Sequence, residues 1–183
     1  MNLKISNKLF RVRLFRLLGL MALWLVLAGC SGVSSSGPRL IETHKECPLC
    51  GMIPAKYPLF NCQIVFEDES YEAFDSAAGL LIYLYFPDKT GFPVKKVSQI
   101  FFKDYLSEKW IDSNTTWFIV GSEILGPMGI EFLAVSSEKS ALELKKQEKG
   151  AAIVSFQKVD RSFMVKAGEN GWLHFLAGKL VRE

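Results

Sequence analysis

The sequence predicts an α+β fold of two related ββαβ halves, about 46–112 and 113–160, packed together as one body. Three observations carry this reading. A period-two alternation that starts at Cys62 leads into an apolar helix with a capping signal, the same strand-strand-helix-strand order returns from Thr115 onward, and both runs are followed by glycine or proline punctuation. The halves share little sequence identity, so the repeat is one of architecture. The halves hold 67 and 48 residues, near the size at which a core becomes marginal, and the two should therefore share an interface.

Cys62, Ile64 and Phe66 alternate with Gln63, Val65 and Glu67, the signature of a half-buried strand. A turn at Asp68, Glu69 and Ser70 leads to a second short strand that ends near Phe74. Asp75 and Ser76 are good helix-capping residues and open a helix over 77–86, which Pro87 stops because it cannot continue the hydrogen-bond ladder. That helix is apolar nearly all round, so it should be buried on more than one side. A third strand is expected over 97–105.

In the second half, 115–121 is rich in β-branched and aromatic residues and reads as a strand, with another over 131–135. Ser136 and Ser137 can cap a helix that runs to Lys149, with Gly150 in the position after a helix end that glycine favours. The last strand is expected over 151–159. Residues 161–183 form a tail, broken at Gly168, Asn170 and Gly171, with a short helix at 172–181; it serves either as an apolar brace on the second half or as a partner-docking element.

Residues 1–29 have the anatomy of a secretory signal. Lys4, Lys8, Arg11, Arg13 and Arg16 precede an apolar run from Leu17 to Leu27, which ends in Leu27-Ala28-Gly29-Cys30. The apolar stretch is shorter than the ~20 residues of a membrane span, which argues against a transmembrane anchor. A cysteine directly after the small residues is the layout of a bacterial lipoprotein, with Cys30 as the acylated first residue. Ser31 carries no acidic retention signal, so the sequence favours the outer membrane slightly over the inner. Residues 30–45, which include Gly32, Ser34, Ser35, Ser36, Gly37 and Pro38, read as a flexible tether that faces the periplasm.

Removal of residues 1–29 from the 183 leaves 154 residues. The leader takes 5 of the 22 basic residues and none of the 19 acidic ones, so 17 basic residues remain and the net charge falls from +3 to near −2. No clustered basic patch is left, which excludes nucleic acid as a partner.

Chemistry concentrates in Cys47-Pro48-Leu49-Cys50-Gly51-Met52, where thiols and a thioether stand almost side by side. Soft sulfur donors suit a soft metal ion, above all Cu(I). Met128, in Gly126-Pro127-Met128-Gly129, sets a second thioether at the tip of a turn in the other half. The ordinary role of each methionine is gap-filling, but a methionine beside a glycine in a loop has little packing reason to be there.

Two other readings stand beside copper. The Cys47–Cys50 spacing is that of a thiol-disulfide redox pair, although such pairs usually open a helix and here a loop follows. A structural zinc site could draw on His44, Cys47, Cys50 and Cys62, although a robust zinc ribbon needs a second cysteine pair. Cys62 is otherwise a buried strand residue or the disulfide partner of Cys47 or Cys50. No catalytic triad, paired acid and base or phosphate loop is present, so no enzymatic activity is expected.

Cys-Pro-Leu-Cys-Gly-Met, Phe74-Asp75 at the first helix, Asp104-Tyr105, Trp110-Ile111-Asp112, and Gly121-Ser122 followed by Gly126-Pro127-Met128-Gly129 together resemble the NosL family of nitrous oxide reductase accessory lipoproteins. The similarity runs from about Glu46 to Val159. It implies the two ββαβ halves, a likeness to the organomercurial lyase fold, and a copper chaperone that carries Cu(I) to nitrous oxide reductase or another cuproprotein client. Carried over by motif, Cys50 and Met52 match the family's Cys-Gly-Met and Met128 matches its Gly-Pro-Met-Gly turn, which makes these three the expected ligands. Cys47 matches the longer Cys-Pro-x-Cys form and Cys62 lies outside the pattern; Cys47, Cys62 and His44 are further candidates.

Overall fold

Strand β1 (Cys62–Phe66) is the centre of the first half. It pairs antiparallel with β2 (Tyr71–Phe74) on one side and with β3 (Val97–Lys103) on the other, and β4 (Trp110–Asp112) completes a sheet of order β2-β1-β3-β4. The computed structural model describes residues 37–93 and 95–173. The leader, Cys30 and residues 174–183 lie outside the described residues, and with them most of the helix expected over 172–181. Among the described residues, no helix is long and apolar enough to cross a membrane.

The alternation in β1 predicts one buried face, yet all five of its residues are buried. The second face is covered by chain far away in sequence. Gln63, fully buried, accepts a hydrogen bond from the Arg39 amide at 2.7 Å and donates one to the Arg39 carbonyl at 3.0 Å. Tyr71 donates its hydroxyl to the Leu40 carbonyl at 3.2 Å. The stretch expected as a free tether through residue 45 is thus held to the sheet from Arg39 onward, because a buried side-chain amide must find partners.

Helix α1 (Ala77–Tyr85) follows β2 and buries Ala77 to Ile82 without a break, as its apolar circumference requires. Ser76 caps it by accepting from the Gly79 amide. Pro87 ends α1 as expected and then opens the short helix α2 (Pro87–Thr90), where its fixed φ and missing amide suit a first-turn position.

The second half is built on β5 (Trp117–Val120). A small hairpin follows, β6 (Leu125–Gly126) and β7 (Gly129–Ile130), and then β8 (Leu133–Val135), helix α3 (Glu138–Gln147) and β9 (Ala152–Ser155). The sheet order is β8-β5-β9, again antiparallel, so in each half the first strand lies between the second and the one that follows the helix. Ser137 caps α3 through the Ser140 amide. The left-handed residue after this helix is Lys149, at φ +51°, rather than Gly150. Gly150 is required for a different reason: a Cβ there would come 2.4 Å from Ile119 Cγ2 on β5.

Strand β9 is shorter than the sequence suggests, because residues 156–158 turn into a 3-10 helix. Helix α4 (Arg161–Glu169) then occupies what reads in the sequence as an irregular tail. Asp160 caps it by accepting from the Phe163 amide at 2.7 Å, and Met164, Ala167 and Leu173 are buried against the body.

A row of phenylalanines joins the halves. Phe102 on β3 meets Phe118 on β5 edge-on, with centroids 5.0 Å apart, and Phe118 continues to Phe132 and Phe132 to Phe163. Each such pair is worth about 0.5–1.5 kcal/mol beyond the area it buries. The Tyr105 amide also donates to the Ala134 carbonyl at 2.8 Å, across the same seam.

Candidate metal centre

The cysteine loop is closed by its own backbone. The Cys47 amide donates to the Met52 carbonyl at 2.7 Å and the Gly51 amide donates to the Cys47 carbonyl at 2.8 Å. Gly51 adopts φ +75°, a conformation glycine enters without steric cost. This closure folds Cys47 and Cys50 toward a common point at the corner between β2 and α1, where Asp75 lies. The Cys47 and Cys50 sulfurs and an Asp75 oxygen all lie within 4.8 Å of one another.

These groups are in hydrogen-bond contact. The Cys50 thiol is 3.1 Å from Asp75 Oδ1 and can donate to it. The Cys47 thiol lies against Cys50, and this contact, burial and the Asp75 charge all push the Cys47 pKa far up. The same contact lowers the pKa of Cys50, with help from the Met52 amide, while burial and Asp75 oppose the change. Cys50 is therefore the site's more acidic thiol. Asp75 is fully buried, and its Oδ2 has no hydrogen-bond partner. A buried carboxylate with an open oxygen beside two thiols has its preferred neighbour in a cation.

The two methionines are half-buried rather than exposed. Met52 receives the Tyr57 hydroxyl at 3.7 Å on its sulfur. Met128, at the turn between β6 and β7, lies over the first turn of α1: its sulfur is 3.8 Å from where a Cβ on Gly79 would sit, a point that Leu49 of the cysteine loop approaches to 3.6 Å. Loop and hairpin, one from each half, thus meet over the same helix turn. Cys62 and His44 do not join them among the described residues. Cys62 is buried at the base of β1, and its thiol donates to the Ser76 carbonyl at 3.2 Å. Cys47, Cys50 and Cys62 are all free thiols, so the disulfide considered for Cys62 is not formed. His44 is exposed on the surface, with Nε2 3.3 Å from Glu42.

Two acidic residues escape a reading of the sequence alone. Asp75 reads as a helix cap, a task that Ser76 performs; its signal was its place in the Phe74-Asp75 pair. Glu131 reads as the first residue of a strand, yet it stands before β8, 1% exposed, with its carboxylate turned to α1. Its Oε1 accepts from the amides of Ala78 at 3.2 Å and Phe132 at 2.9 Å. Burial pushes its pKa up to about 7, against the pull of those amides and the Ser76 hydroxyl. A glutamate that opens the apolar run Phe132 to Val135 was the visible sign.

The NosL family model matches residues 38–164, a span that holds the cysteine loop, Asp75, Met128 and Glu131. The chain belongs to the NosL family. A relative, the copper-binding lipoprotein NosL of Stutzerimonas stutzeri, is 25% identical over 147 residues, which cover 75% of this chain and 74% of the relative. The crystal structure of the copper chaperone NosL from Shewanella denitrificans superposes with a TM-score of 0.59 at 24% identity, covering 69% of this chain and 97% of that one. The mixed α+β architecture is thus the one found in a NosL structure.

Proposed function

We propose that this protein is an envelope copper chaperone, anchored through a lipid on Cys30, that binds Cu(I) and hands it to nitrous oxide reductase or another cuproprotein client. The observation that carries the reading is the convergence of Cys47, Cys50 and Asp75 within 4.8 Å, where the cysteine loop meets the corner before α1, beside the helix turn that Met128 covers. Cys50 supplies the anionic sulfur, and Met52 and Met128 are the thioether donors, with Cys47 within reach. The two neutral thioethers are what favour Cu(I) over Zn(II), since thiolate alone serves either ion. Membership of a family whose named relatives include a copper-binding lipoprotein and a copper chaperone supports the same reading.

Handover requires that the ion be held yet remain reachable. The loop is partly open, with Gly51 exposed and Cys50 half-buried, so a histidine or cysteine of the client can join the ion before the donor sulfurs leave. Loading displaces thiol protons, since only deprotonated cysteine ligates metal. The reading assigns the chain no catalytic step. A closed zinc cage fits less well, because His44 and Cys62 stand apart from the cluster. A redox dithiol fits less well too, since the residues after the pair form a loop and then a 3-10 turn at Pro54–Lys56 rather than a helix.

The test is titration of the reduced protein with Cu(I) against a chromophoric Cu(I) chelator, with Zn(II) as competitor. One equivalent retained in the presence of zinc is expected, with the loss severe in Cys50→Ser and smaller in Met128→Leu. Preferential zinc retention, or a Cys50→Ser protein of unchanged Cu(I) affinity, would overturn the assignment. For the anchor, Cys30→Ser should leave the membrane fraction or remain unprocessed; fractionation like the parent would count against acylation.

A further inference from the structure

Nothing in copper ligation calls on Glu131, yet its carboxylate is among the most deeply buried polar groups of the molecule. Burial of a carboxylate is costly unless its partners are well placed, and its position relates to the site in a specific way. Glu131 directly follows β7, the strand that leaves the Met128 turn. Its side chain folds back over the opposite strand of the hairpin, so that a Cβ on Gly126 would be 2.9 Å from Oε2 and 3.2 Å from the Glu131 Cβ. Its other oxygen reaches into the first half and takes the Ala78 amide, one of the free donors at the start of α1. The oxygen thereby satisfies a backbone donor that the helix itself leaves unpaired.

Ala78 and Gly79 are neighbours. The root of the hairpin is fixed at the first through Glu131, and its tip lies over the second through the Met128 sulfur. On the proposed copper reading, that turn of α1 also borders the cysteine loop through Leu49 and is separated from Asp75 only by the Ser76 cap. We infer that Glu131 is a positioning residue for the copper site: it clamps the β6–β7 hairpin to the first turn of α1, and so sets the reach of the Met128 thioether toward an ion held by Cys50.

A clamp of this kind acts only through Met128, and a double-mutant cycle exposes it. Cu(I) affinity is measured on the reduced mature chain for the parent, Glu131→Ala, Met128→Leu and the double variant, with melting temperatures alongside. Glu131→Ala should weaken Cu(I) binding about 10- to 100-fold, the range typical of residues that orient a metal ligand. In the Met128→Leu background the same change should cost almost nothing further, and X-ray absorption of the Cu(I)-loaded Glu131→Ala protein should show one sulfur neighbour fewer. Glu131→Gln keeps an acceptor for Ala78 and should restore most of the affinity.

If Glu131→Ala does not fold, Gly126→Ala replaces it in the cycle, since its methyl group presses on the Glu131 carboxylate from the hairpin side. Losses that multiply with Met128→Leu, or parental affinity in a folded Glu131→Ala protein, would overturn the clamp alone. A parent that binds no Cu(I) would overturn the chaperone reading and the clamp with it.

Discussion

Cys50 Sγ stands 3.1 Å from Asp75 Oδ1, so the more acidic thiol of the pair can donate a hydrogen bond to a fully buried carboxyl group. Where that proton sits, a cation would find a thiolate on one side and a carboxylate on the other. The corner between β2 and α1 is therefore prepared for positive charge before any ion arrives, and its properties without metal can be measured directly.

Asp75→Asn should make Cys50 more acidic, because the Asp75 carboxylate raises the Cys50 pKa both by its charge and by its hydrogen bond. In metal-free reduced protein, alkylation of Cys50 at neutral pH should run several-fold faster than in the parent, since the thiolate is the reacting form. An unchanged or slower rate would show that Asp75 does not act on the thiol.

Cys47→Ala should do the opposite. The Cys47 contact is the largest influence that lowers the Cys50 pKa, and alanine offers no donor in its place. The pH midpoint of Cys50 alkylation should shift upward, whereas Cys47→Ser, which retains a hydroxyl donor, should stay near the parent value.

Glu131 should make metal-free stability depend on pH. Its pKa rises from 4.5 to about 7 on folding, so the folded state binds the proton more tightly than the unfolded one. The contribution to stability is then fully present below 4.5 and is lost as pH rises to about 7, a change of roughly 3 kcal/mol across that window. Urea unfolding at pH 5 and pH 8 should show most of this difference in the parent, and Glu131→Gln, which cannot titrate, should remove that part of the slope.

Gly150→Ala should lower the melting temperature without touching the proposed copper site. The added methyl group would fall 2.4 Å from Ile119 Cγ2 in the core of the second half, and overpacking of that kind costs about 1–3 kcal/mol. Cu(I) affinity of the folded variant should equal that of the parent.

The order of elements was legible because it rests on local signals: the alternation from Cys62 to Phe66, the serine caps at 76 and 137, and the apolar run into α1. The pairing of Cys47 with Cys50 was legible from their spacing. Burial of both faces of β1 was not, since the cover comes from Arg39, 24 residues upstream of Gln63. Helix α4 was hidden by the glycine and asparagine at its end, which suggested an irregular tail from Asp160 onward. Asp75 and Glu131 belong to a third kind. Their residue types suit a cap and a strand start, and only tertiary contacts reveal that each is enclosed: the cysteine loop beside Asp75 and the first turn of α1 beside Glu131.

The grip of Gln63 on Arg39 has a consequence for the geometry of delivery. Under the proposed acylation at Cys30, the lipid lies nine residues before Arg39, where Gln63 ties the chain to the sheet. Nine residues span at most about 30 Å even when drawn straight. Arg39 would then stay within that reach of the bilayer, and a client would have to present its empty copper site to a body tethered that closely, so membrane distance as well as ligand chemistry would select who receives the ion.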